Sequence, residues 1–187
     1  MSFIWTPHRF AGGALALDVA NSVILRFDPE RRIDRFAVPS QLRDFADAAG
    51  HLSAERSAFP ALAPVASEGA SHFLRLREAT DAFFRHRVGE GRDDPSMLAE
   101  LLETIASTIR RHGYVTSPLP VDLATAHSAL KLVSQPEPDR MKVCPNCGWL
   151  FLDKSRNRSR NWCDMAVCGN RAKARLHYSK KRKEGAS

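Results

Sequence analysis

The chain has 187 residues, 43% of them hydrophobic and 26% charged, which excludes a wholly disordered chain and suits one or two compact domains. Its formal charge of +7 is unevenly placed: residues 1–139 carry 15 basic and 18 acidic side chains, and residues 140–187 carry 13 and 3. No apolar run approaches the roughly 20 residues of a membrane helix, and the first residues lack the basic, apolar and small-residue segments of a secretion signal, so a cytoplasmic location without membrane contact is expected.

In chain order, Leu17, Ala20, Ile24 and Phe27 recur at helical spacing and predict a helix from about Ala14 to Phe27, ended by Asp28-Pro29. After Pro39-Ser40, the positions Leu42, Phe45, Ala46 and Ala49 mark a second helical face, closed by Gly50. Phe73, Leu76, Thr80, Phe83 and Phe84 trace the buried side of a longer helix that leaves Arg75, Arg77 and Glu78 to water and stops at Gly89 and Gly91. Asp94-Pro95 offers an N-cap and a first-turn proline to the clearest helix, in which Leu98, Leu101, Leu102, Ile105 and Ile109 run on to Gly113. The span Tyr114 to Val121, with two prolines, reads as extended, and Leu123, His127, Leu130 and Val133 as a last helix; Ile33 to Val38 reads as a small strand. The segment Ser134-Gln135-Pro136-Glu137-Pro138-Asp139 cannot comfortably continue a helix or a central strand. It is expected to divide a helical domain, 1–135, from a C-terminal module, 140–187, too short to build a core without a staple.

The cysteines supply that staple. All four lie between positions 144 and 168, in the pattern Cys-x2-Cys-x15-Cys-x4-Cys formed by Cys144, Cys147, Cys163 and Cys168. Structural disulfides of a secreted scaffold would be spread through the chain, whereas two close thiol pairs suit one tetrahedral ion. Four thiolates are soft donors and leave no open coordination position, so one structural Zn²⁺ is expected; an iron–sulfur centre and a redox dithiol pair are the chemical rivals. The interval from Trp149-Leu150-Phe151-Leu152 to Asn161-Trp162 reads as a hairpin around a polar centre. Trp149, Phe151 and Trp162 are expected to shield the sulfurs, with base stacking as the alternative. A helix should leave Cys168, where Ala172 and Leu176 lie four apart. Together these elements describe a mainly α fold: an N-terminal helical domain and a small treble-clef-like zinc module of β-hairpin and helix.

With zinc and four thiolates counted, residues 140–187 still carry about +8. Arg156, Arg158 and Arg160 alternate across the expected hairpin turn; Arg171, Lys173, Arg175, Lys180, Lys181, Arg182 and Lys183 line the helix and tail. Phosphates are natural partners for such a surface, and the binding would be steep in salt. A solvated basic face, or one that docks on an acidic protein, is the plainer reading. Asp18 and Asn21, polar residues three apart in an apolar helix, either hydrogen-bond a neighbouring element or contact a ligand. His51, His72, His86, His112 and His127 are scattered, and no phosphate loop, dinucleotide fingerprint or nucleophile elbow appears, so no enzyme is expected.

The run Cys144-Pro145-Asn146-Cys147-Gly148-Trp149, with Arg160-Asn161-Trp162-Cys163 and Cys168-Gly169-Asn170-Arg171, resembles the CGNR zinc-finger family, whose name is that last tetrapeptide. Upstream, Gly13-Ala14-Leu15-Ala16-Leu17-Asp18-Val19-Ala20-Asn21-Ser22 resembles the opening of the ABATE-type domain that usually precedes this finger, with Val19 and Ser22 where the family more often has phenylalanine and threonine. The resemblance implies a bacterial transcription regulator, often described as stress-induced, with zinc on the four cysteines. It makes Arg171 and the following basic residues candidates for DNA contact, and gives the helical domain a sensing or assembly role.

The expected function is therefore a zinc-dependent regulator that binds double-stranded DNA, cytoplasmic and nucleoid-associated, with a small-molecule effector left open. A homodimer is compatible with it, although no heptad defines one. The rivals are an RNA-binding accessory protein that stacks bases on Trp149 or Trp162, and a zinc-stabilised protein-interaction module with only nonspecific nucleic-acid affinity.

Overall fold

The computed structural model describes residues 3–59, 61–114, 117–134 and 138–184. Six α-helices are described: α1 Leu15–Ala20, α2 Pro39–Leu52, α3 Ala70–Glu90, α4 Pro95–His112, α5 Val121–Val133 and α6 Asn170–Glu184. Three two-stranded pairs complete the fold: β1 Val23–Ile24 with β2 Ile33–Asp34, β3 Leu62–Ala63 with β4 Leu119–Pro120, and β5 Met141–Val143 with β6 Leu150–Leu152. The first and third pairs are antiparallel and the second is parallel. The mainly α class with a small hairpin-and-helix module is what forms. No helix among the described residues is long and apolar enough to cross a membrane.

Where the signals are local, the elements follow the sequence. Asp94 Oδ1 accepts from the backbone N–H groups of Ser96 and Met97, both at 2.9 Å, and Pro95 opens α4, which ends before Gly113. Gly91 closes α3 in the left-handed region, φ +67°.

Several expectations fail for tertiary reasons. The helix predicted to Phe27 stops at Ala20, because Asn21 turns its side chain onto β6 and the chain reverses into β1. Ile24 then packs on the cysteine cluster, and Phe27 is 71% exposed beneath the Arg85 guanidinium, 4.9 Å from its ring centre. Gly50 lies inside α2, and Gly89 inside α3. Arg77 does not face water: it is buried and grips Asp34 with two parallel bonds of 2.7 and 2.8 Å. The strand expected over 33–38 is two residues long and gives way to a 3₁₀ turn at Arg35–Ala37. In α5, His127 and Leu130 face solvent, while the small residues Ala124, Ala126, Ser128 and Ala129 let the helix sit against its neighbours at the centre of the fold. The short α1 is buried along its whole length; its first N–H groups, at Leu15 and Ala16, donate to Glu55 Oε2 and Ser128 Oγ.

The expected boundary falls at Ser134–Asp139, of which residues 135–137 lie outside the described residues. On either side of it the chain shares one core: Met141, Leu150 and Leu152 of the hairpin pack with Leu17, Leu76, Phe84, Leu101 and Leu132. A second, aromatic cluster gathers Trp5, Phe10, Phe36, Phe45 and Phe73.

Candidate metal centre and basic face

The hairpin β5–β6 carries the first thiol pair at its tip. Cys144 N–H donates to Trp149 O and Gly148 N–H to Cys144 O, both at 2.8 Å, and Gly148 takes φ +74°, where a side chain would be strained. The predicted hairpin between Trp149–Leu152 and Asn161–Trp162 is not the one that forms: β6 pairs with β5 before the knuckle, and no strand follows Leu152 among the described residues.

The outer edge of β6 would otherwise expose Leu150 and Leu152 backbone groups. Asn21 covers one, donating Nδ2–H to Leu150 O at 2.8 Å and accepting from Leu150 N–H at 3.0 Å; Gly12 O accepts from Leu152 N–H at 2.9 Å. Asn21 and the Gly12 backbone thus stand in for a third strand. Gly12 N–H in turn donates to Asp18 Oδ1, and a β-carbon at Gly12 would lie 2.8 Å from that oxygen. Asp18 Oδ2 accepts from the Ser53 hydroxyl. Burial holds the Asp18 carboxyl well above its ordinary pKa. Both residues are engaged in hydrogen bonds within the protein.

The second thiol pair is set by Asp164, whose Oδ1 accepts from Ala166 and Val167 N–H and caps a π-helical turn, Met165–Gly169, that continues into α6. This turn brings Cys168 to Cys163. The four sulfurs lie within 4.8 Å of one another, with Cys147–Cys163 at 3.5 Å and Cys163–Cys168 at 3.6 Å. Ligands at a Zn–S distance of about 2.3 Å in a tetrahedron stand roughly 3.8 Å apart, whereas a disulfide needs about 2 Å. The thiols are unbridged, all but Cys147 are buried, and Trp149, Phe151 and Trp162 pack around them.

Their acidities respond to this crowding. Hydrogen bonds from Cys147 and Cys163 hold the Cys144 thiol far below its usual range, and the same contacts with Cys144 push Cys147 and Cys163 up. The four cysteines form a single structural zinc site.

The loop after β6 is organised by a residue that composition and spacing did not single out, Asp153. Its Oδ2 accepts from Lys142 Nζ at 2.7 Å and Arg160 N–H at 2.9 Å, and its Oδ1 from Ser155 N–H and hydroxyl. Burial alone would raise its pKa, but these donors, led by Lys142, hold it far below the usual carboxylate value. Lys142 also donates to the carbonyls of Arg158 and Arg160, wrapping the loop around one ammonium. Arg160 is half-buried, bonding Trp162 O with its guanidinium over Phe151, and Arg158 pairs with Asp139; Arg156 is exposed. The three arginines therefore do not form one alternating row.

On α6, the side chains of Arg171, Lys173, Arg175 and Lys181 are exposed, while those of Leu176, Lys180, Arg182 and Lys183 lie outside the described residues. Trp149 is 3% exposed, which takes its ring out of reach of a stacked base, while Trp162 packs against the sulfurs and is only partly buried. Two residues beside the centre went unnoticed in the sequence. His8 Nδ1 meets Asp164 Oδ2 at 3.0 Å and its ring lies against Trp149, and Arg9 places its guanidinium 5.5 Å from that indole. No periodicity links positions 8–9 to 149 or 164.

A family model described as CGNR zinc finger matches residues 140–181, and one described as ABATE, putative stress-induced transcription regulator, matches residues 13–137. No curated protein and no solved structure matches the chain. The second match covers well over half of the chain and the first begins just after it, so the chain belongs to the ABATE family and carries a CGNR zinc finger.

Proposed function

We propose that this protein is a zinc-dependent transcription regulator that binds double-stranded DNA through α6. The observation that carries the reading is the placement of Arg171, Lys173 and Arg175, all exposed, on a helix that starts two residues after the zinc ligand Cys168. Zinc fixes the start of that helix, and the guanidinium and ammonium groups then meet phosphates without first being ordered. Arg171 or Arg175 reaches a guanine edge once the helix lies in the major groove. The regulator acts in the cytoplasm, associated with the nucleoid, without a catalytic step, and a homodimer brings two such helices onto one site.

Selection of random duplexes by the zinc-loaded full-length chain, with single-stranded RNA as competitor, tests this reading. Enrichment of a duplex sequence that RNA does not displace is expected. Capture of RNA in preference, or of neither, contradicts it.

A further inference from the structure

Between the Pro7–Phe10 turn and α6 lies a cleft of about 520 Å³, within the roughly 300–1,000 Å³ of small-molecule sites. Three guanidiniums line it, Arg9 from the turn and Arg171 and Arg175 one helical turn apart on α6, and no carboxylate does. None of the three has an ion-pair partner among the described residues. Arg9 is half-buried, over Trp149 and near Phe3, and burial together with the charges of Arg35 and Arg171 lowers its pKa. Trp149 lines the cleft too, and its buried Nε1 has no hydrogen-bond partner among the described residues. The remaining wall is mostly apolar, with Ile24, Leu25, Ala174 and Tyr178, interrupted by His8, Asn146 and the zinc ligand Cys147. Three guanidiniums, offset in part by the Cys147 sulfur beside Arg9, along one side and a mostly hydrocarbon wall along the other define the complement: an anionic head on an apolar body.

We propose that this cleft is a receptor site for a small organic anion, an aryl carboxylate or aryl phosphate ester, held between Arg9 and the Arg171–Arg175 pair. The site bridges two segments more than 150 residues apart in sequence, so occupancy fixes α6 relative to the N-terminal turn. The same two α6 arginines belong to the DNA face proposed above. An occupant withdraws them from phosphates, and ligand and duplex weaken each other reciprocally. That competition rests on the DNA reading; the site itself does not.

The test is calorimetric titration of the zinc-loaded full chain with 2-naphthoate and 2-naphthyl phosphate, with uncharged 2-naphthamide and inorganic phosphate as comparisons. Saturable binding of one aryl anion per chain is expected, with the amide and bare phosphate at least tenfold weaker. Arg9→Gln and, separately, the exposed-helix variant Arg175→Gln should each weaken it about tenfold or more with zinc content retained, while Arg110→Gln leaves it unchanged. Absence of saturable binding, or binding indifferent to both cleft variants, overturns the proposal. Duplex affinity is then measured with and without saturating aryl anion. A fall supports the competition, an unchanged value overturns the competition while the site stands, and a chain that binds the anion but no duplex refutes the DNA reading alone.

Discussion

Replacement of Asn21 by alanine probes the joint between the helical segment and the zinc module. The Asn21 amide supplies both hydrogen bonds to the Leu150 backbone, at 2.8 and 3.0 Å, and Leu150 is fully buried. Alanine leaves one N–H and one C=O unsatisfied where water does not reach, at about 1–3 kcal/mol each, or about 2–6 kcal/mol together. Against a typical total of about 5–15 kcal/mol this is a large loss. Urea unfolding of the zinc-loaded protein, followed by far-UV circular dichroism, measures it. Asn21→Asp, which keeps the acceptor but sets a carboxylate against Leu150 O, should be at least as damaging. A loss below about 1 kcal/mol for alanine refutes the view that Asn21 completes the edge of β6.

Further outcomes follow from the same contacts. Asp18 has its pKa raised by burial, so its contribution is fully present below the ordinary carboxylate pKa of about 4 and declines as pH rises through the folded value. Asp18→Asn should flatten that decline and match or exceed the parent at neutral pH in thermal melts; a variant with an unchanged pH slope contradicts this. Asp153 has its pKa lowered, so its contribution is present above the ordinary carboxylate pKa and lost as pH falls through the folded value; Asp153→Asn should loosen the loop around Lys142, seen as faster amide exchange at Ser155 and Arg160. Zinc binding should release at least the protons held by the raised Cys147 and Cys163 thiols, so that affinity drops steeply with acidification, and Cys163→Ser should abolish stoichiometric zinc; a pH-independent affinity would count against four-thiolate ligation.

What could be read from the sequence divides by the range of the interaction. The ends of α4 are set by groups two or three residues from the cap, and the zinc ligands by spacings inside one 25-residue stretch, so both were legible. The length of α1 was not, because Ile24 and Phe27 continue a helical rhythm that the fold overrides with a bond from Asn21 to Leu150, 129 residues away. The charge of Arg77 fits an exposed face, whereas the partner that buries it, Asp34, is 43 residues upstream. The segments on either side of Ser134–Asp139 differ in composition and charge, which suggests separate units, yet their apolar residues fill a common core. Truncation before the hairpin would therefore uncover Leu17, Leu76 and Leu132, not merely delete a basic tail.

The salt dependence of duplex binding by the zinc-loaded chain addresses the central claim most directly. Each phosphate contact contributes about −0.9 to the slope of log affinity against log salt. The triple variant Arg171→Gln, Lys173→Gln, Arg175→Gln, with zinc retained, should lower the magnitude of that slope by about 2 to 3 and weaken binding across sequences. A slope that stays the same in the variant would place the DNA contacts elsewhere than on α6 and contradict the account.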